Sequence, residues 1–421
     1  MQGEICLRTK FLHVPNAGRI CSTDGAPAAQ GREPRNDGNE GVLCMKRIAV
    51  FSLLSALVLT VCAGAEGPAV SCPSALLMEK QTGTVLYAVG EHDRREPASV
   101  TKIMTLLLTM EAVDSGALSY DDTVTGSAHA AGMGGSQIWL REGEQMTVRD
   151  LLKAVCVVSG NDAAVALAEH IAGSEEAFVD RMNARAQELG MADTHFVNCT
   201  GLPAEGHLTS AYDIALMSRE LILNHPDIRQ FTTVWMDSLR GGQSMLVNTN
   251  KLIRFYDGAT GLKTGSTDAA GYCLSATAEK NGMELIAVVL KGRTSDERFS
   301  DAKTLLNYGF STWTLVTVTP DSVLPPVDVT LGVRPTVQPV LAPDNVLLLE
   351  KTRANGLTKE VTLKETAEAP VYEGDALGVL TVCDADGNAV AALPILAGES
   401  VDRVTFGQML LRYLRLGFCG A

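Results

Sequence analysis

Glu96-Pro97-Ala98-Ser99-Val100-Thr101-Lys102-Ile103-Met104-Thr105-Leu106-Leu107-Leu108-Thr109-Met110 is the stretch on which the reading of this chain turns. Pro97 suits a first helical turn, where its missing N–H is no loss. Val100, Ile103, Met104, Leu107, Leu108 and Met110 recur at the spacing of a mostly buried helix that runs toward Gly116. The Ser99 hydroxyl then stands at a helix N-terminus, among unpaired backbone N–H groups and the positive end of the helix dipole. Lys102 lies one turn on, and residues three apart share a helix face, so its amine can reach that hydroxyl. Only a neutral amine can take a proton. The pattern therefore calls for apolar surroundings, the helix dipole and a second cation to lower the Lys102 pKa.

Working outward, Ala75-Leu76-Leu77-Met78 and Val85-Leu86-Tyr87-Ala88 flank Lys80-Gln81-Thr82-Gly83 and predict a β-hairpin over Ser74 to Val89. On the other side, Thr147-x-x-Asp150 is a capping pattern ahead of Leu151, Leu152, Val155 and Val158, a helix that stops at a Ser159-Gly160-Asn161 turn. Ser174 followed by Glu175 and Glu176, with Gly190 at the exit, marks another helix, and Ser210-x-x-Asp213 opens one more. A helical block thus spans about 100 to 224. Gly271 to Ala278 and Leu285 to Lys291 read as strands joined by Asn281-Gly282, a strong hairpin turn. Beyond Trp313 the texture becomes Val- and Pro-rich alternation with turns at Glu373-Gly374 and Asp386-Gly387, which predicts a small separate β domain.

Two further motifs stand where chemistry can use them. Ser159 can relay a proton between Lys102 and a leaving amine, and Asn161 can hydrogen-bond a substrate amide from the same turn. Lys263-Thr264-Gly265 falls at a strand edge beside the second hairpin, where the Lys263 ammonium and the Thr264 hydroxyl suit the carboxylate of a substrate laid along that edge. Gly265 allows close backbone approach, and the Ser266 N–H can pair with that of Ser99 as an oxyanion hole. Lys263 is also the second cation that Lys102 needs. Each motif alone is common; the weight lies in their conjunction and placement.

Ser99-Val100-Thr101-Lys102, Ser159-Gly160-Asn161 and Lys263-Thr264-Gly265 together resemble the penicillin-recognising serine enzymes. Glu96-Pro97-Ala98-Ser99, Ser159-Gly160-Asn161-Asp162-Ala163, Thr200-Gly201-Leu202-Pro203 and Gly261-Leu262-Lys263-Thr264-Gly265-Ser266-Thr267 narrow the resemblance to the low-molecular-mass D-alanyl-D-alanine carboxypeptidases, over about residues 70 to 418. The resemblance implies an α+β fold: a β-lactamase/transpeptidase-like catalytic domain with an antiparallel sheet and a helical subdomain, followed by a small all-β sandwich-like domain. It implies Ser99 as the acylated nucleophile, Lys102 as proton acceptor, Ser159 as catalytic partner and Lys263 as substrate-binding residue. Peptidoglycan stem peptides are then the substrate and β-lactams the inhibitors, with no metal or organic cofactor. Three alternatives share the motifs: a β-lactamase, a D,D-endopeptidase and a non-catalytic peptidoglycan-binding protein. The Pro-Ala-Glu-Gly-His context of Glu205 does not resemble the deacylating loop of a β-lactamase, and retention of all four reactive side chains speaks against a silent protein.

The bulk properties agree with an exported globular enzyme. The chain has 421 residues, 46% hydrophobic and 20% charged, enough for more than one domain. A net charge of -14 without a basic block argues against a nucleic-acid partner. Cys72, Cys156, Cys199, Cys273, Cys383 and Cys419 form no C-x-x-C pair and show no metal-ligand spacing. Met45-Lys46-Arg47, the apolar run Ile48 to Val61 and Ala63-Gly64-Ala65 have the order of a secretory signal peptide, with residues 1–44 as an extension outside the fold. At the far end, Phe406, Met409, Leu410, Tyr413, Leu414, Leu416 and Phe418 share one helical face opposite Gln408, Arg412 and Arg415, a pattern suited to lying in an anionic membrane surface. The expected organisation is a signal at 45–65, a catalytic domain at 66–312, a β-rich domain at 313–400 and a membrane-associating helix at 401–421. This would place the enzyme at the outer face of the cytoplasmic membrane.

Overall fold

The computed structural model describes residues 67–411, so the signal segment and the last part of the C-terminal amphipathic stretch, from residue 412 on, lie outside the described residues. The first hairpin forms as the sequence predicts, with strands β1 (Ser74–Glu79) and β2 (Val85–Val89). A tight turn of 3-10 helix, Ala98–Thr101, leads into helix α1 (Lys102–Asp114). Helices α2 (Val148–Val158), α3 (Asn161–Ala172), α4 (Glu175–Glu188) and α5 (Ala211–Asn224) complete the helical block. Their N-termini are the ones the sequence marks: the side chains of Thr147, Ser174 and Ser210 accept from the amides of Asp150, Ala177 and Asp213.

Strands β3 (Ala259–Thr267), β4 (Gly271–Lys280) and β5 (Met283–Gly292) join the first hairpin in an antiparallel five-stranded sheet of order β2-β1-β5-β4-β3. The β4–β5 connection is the two-residue turn Asn281-Gly282, both at positive φ. The inner strands of the sheet are buried on both faces, and alternation sorts their side chains. Leu76, Met78, Ile286, Val288 and Leu290 enter the core shared with the helical block. Ala75, Leu77, Leu285, Ala287 and Val289 enter a second core, closed by helix α6 (Ser295–Thr312). There α6 comes so close that a Cβ on Gly309 would stand 2.4 Å from Leu285 Cδ1.

Several elements go beyond the sequence reading. Helix α6 was not anticipated, nor were the short hairpins Thr123–Thr125 with Gln145–Thr147 and Met236–Leu239 with Ser244–Val247. Asn161, expected in a turn, is the first residue of α3, so the turn narrows to Ser159 and Gly160. After Trp313 the chain is β-rich, with one short helical turn, Lys351–Ala354, where none was expected. Four strands pair in the order Pro339–Leu341, Ala389–Ala397, Ala376–Cys383, Thr358–Leu363, and three in the order Thr336–Val337, Val327–Thr330, Thr366–Glu368. Two small aliphatic clusters hold them, one around Val329, Val337 and Val401, the other around Leu380, Val382 and Ile395. Cys72, Cys156, Cys199, Cys273 and Cys383 are free thiols. No helix among the described residues is long and apolar enough to cross a membrane.

Candidate active site

Ser99 and Lys102 meet as the helix spacing predicts. Lys102 Nζ lies 3.0 Å from Ser99 Oγ and donates to the Thr200 carbonyl at 2.7 Å. Lys102 is fully buried. Burial, and then the charge of Lys263, push its pKa well below the ordinary lysine value. The Thr200 carbonyl is aimed by an Asx turn, in which Asn198 Oδ1 accepts from the Thr200 and Gly201 amides at 3.1 and 2.7 Å. Gly201, at φ +80°, passes so near the Ala98 backbone that a Cβ would stand 1.9 Å from the Ala98 carbonyl oxygen, so only glycine fits. The same loop returns through His207. Its Nδ1 accepts from the Val197 amide at 3.1 Å, which leaves Nε2 to donate to Thr101 Oγ1 at 2.8 Å. Burial lowers the His207 pKa to about 4, so the ring is neutral at pH 7.

The second motif closes α2. Ser159 caps that helix in the left-handed region, at φ 64°. Asp162 is buried and makes the turn rigid by accepting from the Ile138 and Leu140 amides, each at 3.0 Å. Asn161 Nδ2 donates to the Gly134 carbonyl at 2.6 Å. Against this tightly bonded frame, Ser159 Oγ and Asn161 Oδ1 are buried and bond no protein atom. Ser159 Oγ therefore makes no hydrogen bond to Lys102.

The third motif lies on β3, the edge strand of the sheet. The close backbone approach expected at Gly265 is made by the protein itself, since a Cβ there would stand 2.9 Å from both the Pro97 carbonyl and the Ser99 amide. Lys263 is 1% exposed and donates to the Thr264 carbonyl at 3.0 Å. Burial, reinforced by Arg298 and opposed by Cys156, brings its pKa to about 7. Thr264 Oγ1 donates to Thr249 Oγ1 at 2.8 Å, and the Thr249 amide donates to Val157 at the end of α2, so the second and third motifs share a wall. Ser266 is exposed at the end of the strand. Thr200, His207, Asp162 and Arg298 support these residues from outside the motifs. Asp162, Thr200 and His207 lie in stretches the sequence singles out, and none was given a part there; Arg298 lies in none of them.

Glu111, Glu220 and His225 come close enough to bracket a metal ion. Arg185 already spans the two glutamates at 2.7 and 2.6 Å, and His225 bonds Asp114, so the cluster reads as an ion-pair network.

Residues 62–294 match the family described as D-alanyl-D-alanine carboxypeptidase, and residues 317–403 match the penicillin-binding protein 5 C-terminal domain. The chain is 42% identical over 382 residues to the D-alanyl-D-alanine carboxypeptidase DacF of Bacillus subtilis, covering 87% of this chain and 98% of that one. It is 31% identical over 350 residues to DacC of Escherichia coli, covering 81% and 87%. Among solved structures, penicillin binding protein 5 from Haemophilus influenzae superposes with a TM-score of 0.72 at 29% identity, covering 81% of this chain and 100% of that one. The ampicillin-bound form of penicillin-binding protein D2 from Listeria monocytogenes superposes with a TM-score of 0.53 at 33% identity, covering 57% and 98%. Together with the three motifs around one cleft, these likenesses show that the chain belongs to the D-alanyl-D-alanine carboxypeptidases.

Proposed function

We propose that this serine carboxypeptidase works through an acyl-enzyme on Ser99. Lys102, held neutral, takes the hydroxyl proton as Ser99 Oγ bonds to the carbonyl carbon of the penultimate D-alanine of a stem peptide. The amides of Ser99 and Ser266 receive the oxyanion. The C–N bond then breaks, and the proton passes through Ser159 to the nitrogen of the departing D-alanine. Lys263 and Thr264 hold the terminal carboxylate, Gly265 keeps that edge against Ser99, and Asn161 bonds the substrate amide. Water then cleaves the ester by the same route. A β-lactam would acylate the same hydroxyl. The observation that carries this reading is the 3.0 Å approach of a fully buried lysine to Ser99. Ser99→Ala should abolish D-alanine release from a pentapeptide while leaving the protein folded, and persistent release would refute the assignment.

The same reading assigns catalysis to residues 66–312 and a supporting role to the β-rich residues 313–400. It takes 45–65 as an export signal and the end of the chain as a membrane foot. For the foot, the described helical residues 406–411 carry Phe406, Leu410 and Leu411 at 82%, 49% and 58% exposure. Deleting residues 404–421 should release the protein from vesicles containing anionic lipid, and undiminished binding would contradict the foot.

A further inference from the structure

The Lys263-Thr264-Gly265 edge is held from behind by a residue that belongs to none of the motifs. Arg298 lies in the first turn of α6 and is 7% exposed. Its Nη1 donates to the Gly265 carbonyl at 2.9 Å and to the Cys273 carbonyl at 3.3 Å. Gly265 and Cys273 face each other across β3 and β4. Cys273 also sits where the β4–β5 register slips between Tyr272 and Leu274, so the guanidinium enters at a break in the ladder. The rings of Phe299 and Tyr272, with centroids 4.9 and 5.3 Å away, fix its orientation.

A buried guanidinium ordinarily has a carboxylate partner. Here the nearby acids are already engaged: Glu297 pairs with Arg293, and Asp301 takes the Ser71 and Cys72 amides. Arg298 Nε is buried and bonds no protein atom. A structural bolt could have been neutral. Instead an uncompensated cation stands behind Gly265, the residue whose backbone presses on the Ser99 amide.

We propose that Arg298 is a positioning residue of the reaction: by bridging the Gly265 and Cys273 carbonyls it sets how closely the Lys263-Thr264-Gly265 edge approaches Ser99, and its charge strengthens the field that receives the substrate carboxylate. This rests on the Ser99 mechanism proposed above. The charged and titratable groups coupled to Lys263 are Lys102 from α1, Cys156 from α2 and Arg298 from α6. Removing the Arg298 charge leaves Lys263 protonated to higher pH.

The test compares Arg298→Met and Arg298→Lys with the unaltered protein, following acylation by a fluorescent penicillin, kcat and KM on a D-Ala-D-Ala peptide, and the pH profile of kcat/KM. Arg298→Met is expected to slow acylation about tenfold or more, raise KM and move the alkaline limb upward. Arg298→Lys, which keeps charge but reaches one carbonyl, should recover part of the rate. Acylation within about twofold of wild type in Arg298→Met would overturn the proposal. So would a slowed Arg298→Met with an unmoved alkaline limb and no recovery in Arg298→Lys, which is the signature of a fold defect. Should Arg298→Met not fold, wild-type rate and KM in Arg298→Lys would overturn the bridge. Mapping the penicillin adduct in the unaltered protein tests the Ser99 mechanism separately, so either claim can fail without the other.

Discussion

The cleft and the β-rich C-terminal region treat buried polar groups in opposite ways. In the cleft, Lys102 and Lys263 are buried without carboxylate partners, and Ser159 Oγ and Asn161 Oδ1, with Arg298 Nε behind the cleft's edge strand, bond no protein atom. Among the described residues, the buried side-chain polar atoms left without a partner all precede the β-rich region except Trp313 Nε1, at its first residue. In the C-terminal region the buried Asp384 is matched, with Arg353 at 3.0 Å and the Asn388 amide at 2.9 Å. Its clusters are otherwise aliphatic. A region that has only to fold satisfies its polar groups, whereas a region that must act on a ligand keeps some unsatisfied at a cost in stability.

That contrast can be broken experimentally. The largest effect is expected from Lys102→Met, which should lower kcat/KM by about 10³-fold, within the range for loss of a positioned base, while the melting temperature rises because an uncompensated amine leaves the core. Retained activity, or a large fall in melting temperature, would erase the distinction between the two regions. Next comes pH. The folded pKa of Lys263, about 7, lies below the unfolded lysine value, so the penalty for burying its charge is complete below that pH and is relieved as pH rises through it. Stability should therefore increase between pH 7 and pH 9, and Lys263→Met should flatten that rise. In the same window kcat/KM should fall on the alkaline side as Lys263 loses its charge, and a flat profile would remove Lys263 as the carboxylate grip. The smallest effect on activity is expected from Leu380→Ala in the C-terminal cluster. It should cost about 2–5 kcal/mol of local stability yet leave the acylation rate within about twofold, because distant sites act independently. A large drop in acylation would couple the two regions.

What could be read from the sequence follows from how local each signal is. The caps at Thr147, Ser174 and Ser210, the Asn281-Gly282 turn and the i to i+3 reach from Ser99 to Lys102 are short-range geometry, and each has its place in the structure. The Thr200 carbonyl beneath Lys102 is 98 residues away in the chain, and no periodicity announces a contact of that kind. Helix α6 did carry a legible signal, a Thr294 cap accepting from the Glu297 amide. Its weakly amphipathic face, with Arg298 and Asp301 among the buried residues, obscured the apolar spacing. Arg298 was invisible for the same reason: an arginine on a helix is ordinarily solvated, and only the sheet behind it shows what it holds.

The central claim is that a neutral Lys102 activates Ser99. The most direct measurement is peptide mapping by mass spectrometry after brief exposure of the protein and its Lys102→Met variant to benzylpenicillin near pH 7. The account predicts one penicilloyl adduct, on Ser99, in the unaltered protein and almost none in the variant over the same time. An adduct on another residue, or equal labelling of Ser99 in both proteins, would contradict it.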